Sequence, residues 1–118
     1  MGTFLYIEGV TGSATEADHR GEIELQSVLF PHEVVGGGGG QARNMRELSA
    51  TKKQDRATTA LFKAATSGER FGSMILDVVS RSNTSRCTLG MAMLTGMSSS
   101  QGIESFSLYF ETISFEYF

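Results

Sequence analysis

Two histidines, one cysteine and a run of five glycines are where this chain could do chemistry. His19 follows Asp18 and His32 precedes Glu33, so each pair could supply part of a metal site. A zinc site needs three or four converging ligands. With Cys87 as the sole cysteine the donor set is too small, and no metal is expected. His19 is expected to hydrogen-bond within the turn before the second strand. The run Gly36-Gly37-Gly38-Gly39-Gly40 invites comparison with phosphate-binding loops. Those loops continue through Gly-Lys-Ser/Thr into a helix, because the lysine and the hydroxyl hold phosphate and magnesium. Here Gly40 is followed by Gln41-Ala42-Arg43, so no nucleotide or other cofactor is expected. Gly-x-Ser-x-Gly is absent. Spacing alone neither builds nor removes a Ser–His–Asp arrangement. The residues point away from an enzyme. Asn83-Thr84-Ser85 fits the N-glycosylation sequon and reads as an ordinary turn. Cys87 shares the apolar parity of Leu89 and Met91, which predicts a buried structural thiol.

The elements that must position these residues are mostly strands. Phe4-Leu5-Tyr6-Ile7 is short, apolar and closed by Gly9 and Gly12. Within Glu22 to Phe30, Ile23 and Leu25 share one face, whereas Val28 and Phe30 share a face of opposite parity. A period of two cannot change parity without an irregularity, so a β-bulge is expected near Gln26-Ser27. By that parity Val28 and Phe30 point inward and Leu29 outward. The C-terminal segment switches too: Phe106, Leu108 and Phe110 are even, Ile113, Phe115 and Tyr117 odd. A bulge or bend near Glu111-Thr112 follows. Met74, Leu76 and Val78 and then Cys87, Leu89, Met91 and Met93 form a hairpin around Ser82-Asn83-Thr84-Ser85.

One segment has helical spacing. Asp55 can cap it. Ala57, Ala60, Leu61, Ala64 and Ala65 fall on one face, and Gly68 can end it in the left-handed region. Arg56, Thr59, Lys63 and Thr66 are expected outside. Pro31 to Arg43 reads as one long loop. These features predict a single domain over 1–118. The expected fold is mostly β, a two-sheet β-barrel with one flanking α-helix at about residues 55–67.

The chain has 118 residues, with 10 Lys and Arg against 13 Asp and Glu, a net charge of −3. That balance lacks the footprint of a general nucleic-acid binder. No apolar run approaches the ~20 residues of a membrane span. The N-terminus has no basic region before its apolar stretch and does not read as a secretory signal. Tyr6 stands where a myristoylation signal needs Ser or Thr. Arg43, Arg46, Lys52, Lys53, Arg56 and Lys63 form a basic-leaning stretch, read as a charged face awaiting an acidic neighbour. Glu104, Glu111 and Glu116 have no basic residue among them. Opposite-sign surfaces on one chain suit head-to-tail ring association.

The residues also resemble a family. Phe4, Ile7-Glu8-Gly9-Val10, Gly12, His19 and Glu22-Ile23-Glu24-Leu25 are similar to the first two strands of the Hcp (haemolysin-coregulated protein) tube proteins of bacterial type VI secretion. The five glycines resemble part of that family's extended loop. Glu47-Leu48-Ser49-Ala50-Thr51-Lys52, then Asp55 and Leu61, resembles its strand-then-helix core. Met97-Ser98-Ser99 and the alternating segment from Glu104 to Tyr117 resemble its last strands. Three features depart from the family pattern: Val28 and Phe30 stand where tryptophans are common, the loop between Ser99 and Ile103 is short, and the sequence lacks the family's usual continuation beyond the aromatic end.

The resemblance implies a barrel of two sheets that assembles into homo-hexameric rings. The rings stack into a hollow tube that carries effectors in its lumen. A sheath drives the tube, tipped by a spike protein, out of the cell. The subunit would be cytoplasmic during assembly and then secreted without a signal peptide. It implies neither catalysis, nor nucleic acid, nor membrane insertion. Ser27 and Leu29 become candidates to line the lumen and touch effectors. Pro31, Val34, Val35, Gly36, Gly37, Gly38, Gly39 and Gly40 become the candidate ring-stacking loop. The rival reading is a small β-barrel binding module that uses the loop 31–43 to hold a partner.

Overall fold

The computed structural model describes residues 2–29 and 47–118. Eight strands and one helix follow in order: β1 (Gly2–Ile7), β2 (Ile23–Leu25), β3 (Ser27–Leu29), β4 (Glu47–Lys53), α1 (Thr58–Ser67), β5 (Arg70–Val79), β6 (Thr84–Ser100), β7 (Ile103–Tyr109) and β8 (Thr112–Tyr117). A short 3-10 turn at Ala17–His19 precedes β2. The mostly-β fold with one helix agrees with the sequence. The two expected sheets are one antiparallel sheet, ordered β2-β1-β5-β6-β7-β4-β3, with β8 beside β6. Among the described residues no ladder closes that path. Its two end strands, β2 and β3, are instead consecutive in the chain and joined by Gln26 alone. The Gln26 N–H donates to the Thr51 carbonyl at 2.7 Å, so the chain changes ladder within one residue. The parity change near Gln26-Ser27 is thus a change of ladder between two short strands, in place of the expected β-bulge within one. Ile23 and Leu25 are buried on one side of it; Val28 packs on the core on the other.

A second change of face runs across three adjacent strands at one level. Buried positions pass from Phe71 to Met74 on β5, from Leu89 to Ala92 on β6, and from Phe110 to Ile113 at the start of β8. Gly90 sits at this level, opposite Ser73 on one side and Thr112 on the other. Its carbonyl also accepts from the Glu111 N–H at 2.9 Å, so Glu111 and Thr112 both face one residue. The bend expected near Glu111-Thr112 is therefore present. The sequence showed it on one strand only. Met91, expected to share the Leu89 face, has φ 49° and is exposed, because the turn over of the backbone there sends its side chain outward. Thr112 Oγ1 fills the space where a Cβ at Gly90 would stand.

Helix α1 starts three residues later than expected, at Thr58, with Ala57 at the cap position. Asp55 still serves the helix end, accepting from the Ala57 N–H at 2.9 Å. Ala57, Leu61 and Ala64 are buried, Ala65 packs on the core, and Arg56, Thr59, Lys63 and Thr66 are exposed, as the spacing predicts. Gly68 ends the helix at φ 70°, its N–H donating to the Ala64 carbonyl at 3.0 Å. The core gathers Leu5, Ile7, Ile23, Met74, Leu76 and Leu89 on one half of the sheet, and Leu48, Leu94, Phe106 and Leu108 on the other. On β8, Phe115 and Tyr117, which share the parity of Ile113, are exposed.

Candidate functional site

The sheet half made of β3, β4, β7 and the end of β6 presents a hydroxyl-lined outer face. Its origin is a period of two. Leu48, Ala50, Phe106, Leu108 and Leu94 turn into the core, so Ser49, Thr51, Ser105 and Ser107 must turn outward. The ladder register lines them up across strands. Ser27 stands opposite Thr51, Thr51 opposite Ser105, and Ser105 opposite Ser98. The next row is Leu29, Ser49, Ser107 and Gly96. The Ser27 and Thr51 hydroxyls lie 2.7 Å apart and share a hydrogen bond. Leu29, placed outward by parity, and Ser27, the neighbouring candidate, both stand on this face, and Leu29 is 62 % exposed. Charge appears only at its two ends. Lys53 joins the row of Ile103 and Ser100 at one end, and Glu47 accepts from the Thr95 hydroxyl at 2.9 Å near the other. Neutral hydroxyls donate and accept hydrogen bonds without preferring either sign of charge.

This four-stranded half also has an edge on each side. The β5–β6 ladder ends at Arg70 opposite Met93, so among the described residues Gly96–Ser100 of β6 pair with β7 alone. β3, at the other end, pairs with β4 alone among the described residues. An uncharged strand edge is a template for another strand.

Two polar clusters brace the sheet behind the face. Lys52 is not part of a basic surface, as the sequence suggested; its side chain is wholly buried. Glu104 is buried too, and the acidic neighbour is therefore internal. Lys52 Nζ lies 2.7 Å from Glu104 Oε1 and 2.7 Å from Asp55 Oδ1, and donates to the Lys53 carbonyl at 3.0 Å. Thr58 Oγ1 lies 3.0 Å from each Glu104 oxygen. The cluster ties β4, β7 and the start of α1 together. At the other half, Arg86 holds Asp77 with two hydrogen bonds, 2.8 and 3.0 Å. The bond to Asp77 pushes the Arg86 pKa further up. His19 Nδ1 lies 3.0 Å from Glu22 Oε1, the turn contact expected of it, and its ring stacks on Phe4 at 4.3 Å. Cys87 is buried, and desolvation pushes its thiol up to about 11.

The stacking-loop residues Pro31, Val34, Val35 and Gly36 to Gly40 lie outside the described residues, as do Phe30, His32, Arg43 and Arg46. What the sequence reading missed is the breadth of the face. Ser49/Thr51, Ser105/Ser107 and Ser98/Ser100 each alternate with other residues, a signal present in the sequence; only the register shows that they form common rows.

A family model described as type VI secretion system effector, Hcp, matches residues 4–117. The chain belongs to the Hcp family. Hcp2 of Salmonella typhimurium is similar in structure, with a TM-score of 0.81 at 28 % identity, over 99 % of this chain and 86 % of that one. Hcp1 of the same organism gives 0.76 at 25 % identity, over 99 % and 87 %. The Hcp1 protein of the E. coli EAEC 042 pathovar shares the fold, with a TM-score of 0.83 at 20 % identity, over 99 % and 90 %. No curated protein sequence matches the chain. Within this Hcp-family chain, no helix of the described residues is long and apolar enough to cross a membrane.

Proposed function

We propose that this chain is a structural tube subunit of a type VI secretion system. Six copies form a ring, rings stack into a hollow tube, and effectors travel in the lumen. The tube is assembled in the cytoplasm and is exported with the spike protein when the sheath contracts. The subunit works by shape and surface, without catalysis. The observation that carries this reading is the hydroxyl-lined face of β3, β4, β7 and β6, bounded on both sides by strand edges that pair with no further strand among the described residues. Edge-to-edge addition of copies, the β6 edge of one beside β3 of the next, extends that face round a ring. The face then turns toward the channel, with Ser27 and Leu29 among its lining residues. Neutral hydroxyls with a recurring Leu29 favour weak contact with varied cargo. The loop from Pro31 to Gly40 serves contacts between rings.

Native mass spectrometry of the purified protein tests the assembly. Six copies per particle are expected. A protein that stays monomeric at high concentration would sink the tube reading and leave the binding-module alternative.

A further inference from the structure

Between Leu94 and Gly96 strand β6 gains one residue on its neighbour β7. Leu94 faces Leu108 and Gly96 faces Ser107, so Thr95 stands opposite no residue of β7. The extra residue also resets the parity of β6: Leu94 is buried before it, and Met97 packs on the core after it. A bulge of this kind bends its strand and re-aims the side chains beside it. Here the bend falls where β6 becomes an edge. Up to Met93 the strand has β5 on one side; from Gly96 to Ser100 it pairs, among the described residues, with β7 alone.

The bulged residue is tied down from across the sheet. The Thr95 hydroxyl donates to Glu47 Oε2 at 2.9 Å, and both side chains are exposed. Glu47 is on β4, and β7 lies between β4 and β6. Strands lie about 4.8 Å apart, so the two residues belong to backbones separated by roughly 10 Å. The Ser27–Thr51 bond joins neighbouring strands; the Thr95–Glu47 bond spans a whole strand. Its carboxylate acceptor makes it stronger than a bond between neutral groups. A tie between the outer two of three strands, on one face only, limits how far the sheet can bend away from that face.

In the proposed ring, Gly96–Ser100 is the edge that meets β3 of the next copy. The angle between this edge and β4 then becomes the angle between successive copies. Six copies close when each turns the wall by about 60°, and seven at about 51°, so roughly 9° per copy separates the two counts. The twist between neighbouring strands already varies over about 25° among sheets, so backbone pairing alone does not fix the count. We propose that the Thr95–Glu47 bond, acting on the bulge at Thr95, aims the Gly96–Ser100 edge and so sets the number of copies in the ring. The inference rests on the tube reading and adds to it the residues that fix ring size. Thr95 and Glu47 are positioning residues; the contact between copies belongs to Gly96–Ser100 and β3.

Native mass spectrometry, with electron micrographs of rings seen end-on, tests it. Thr95→Val removes the hydroxyl and keeps the shape, Glu47→Ala removes the acceptor, and Thr95→Ser keeps the bond. Wild type and Thr95→Ser are expected to give a single six-copy mass. Thr95→Val and Glu47→Ala are expected to shift that mass by about one subunit, or to spread it into a series, at an unchanged melting temperature. Uniform six-copy rings from both bond-breaking variants overturn the inference while the tube reading stands. A Thr95→Ser protein that behaves like Thr95→Val overturns it too, because the bond is then not what matters. If both bond-breaking variants melt early as they lose the six-copy ring, the bond is a stability contact and the inference fails; if only one does, the other decides. Monomeric wild type removes the tube reading and the inference together.

Discussion

Lys52 shows how much one residue can decide. It shares the parity of Leu48 and Ala50, so the strand carries its stem to the core side. There it meets Glu104 directly across the ladder. Two charges taken from water are costly unless each has its partners, and here Asp55, Thr58 and the Lys53 carbonyl complete the set. Glu104→Leu leaves Lys52 short of its most deeply buried partner, and is expected to cost about 3–5 kcal/mol in urea unfolding. Adding Lys52→Met to that variant should recover part of the loss. A cost below about 1 kcal/mol for the single change would show that the pair is not holding the helix to the sheet. Cys87 gives a pH prediction. Its folded pKa of about 11 lies above the ordinary 9.0, because burial disfavours the thiolate. At pH 8 the folded protein should react with a disulfide reagent far more slowly than the unfolded chain. The sign for stability follows. The contribution is complete below pH 9 and is lost as pH rises toward 11, where only the unfolded state has given up its proton. Wild type should therefore lose more stability than Cys87→Ala across that window.

Among the elements, the helix is held by one apolar stripe. Leu61 is fully buried, and Leu61→Ala is expected to cost about 2–5 kcal/mol, read from the unfolding midpoint at constant slope. The strand corners depend on close backbone approach. A Cβ at Gly12 would collide with the main chain of Glu22 and Ile23, 2.7 Å from the Ile23 Cα. At Gly90 the obstacle is the hydroxyl of Thr112, a side chain that can rotate. Gly12→Ala should thus be the more damaging change, by about 1–3 kcal/mol. Equal melting temperatures for the two variants would contradict this ordering.

For the whole molecule, Leu29 separates folding from assembly. At 62 % exposure it contributes little to the packed interior. Leu29→Gln should shift stability by no more than about 0.5 kcal/mol. It should leave six-fold rings intact and lower the amount of effector that co-purifies. Unfolding on this change would place Leu29 in the core; unchanged cargo would move the contact to another part of the face. Deleting Gly36 to Gly40 should spare the fold and weaken stacking, as followed by tube length in electron micrographs.

The sequence by itself determined the alternation of each strand, the helix face and its glycine end, and the two parity changes at Gln26 and Glu111. These depend on neighbours within a few residues, where periods of two and 3.6 already decide which side chains face inward. It also placed Leu29 outward and Cys87 inward. The tertiary structure decided what distant segments do to one another. Register alone put Ser27, Thr51, Ser105 and Ser98 in one row, and paired Lys52 with Glu104 across fifty-odd residues. A charged side chain reads as surface in a sequence, because its partner is invisible there. The turn of face at Met91 was hidden for the same reason: it runs across three strands at that level, where the Thr112 hydroxyl fills the space left by the missing Cβ of Gly90.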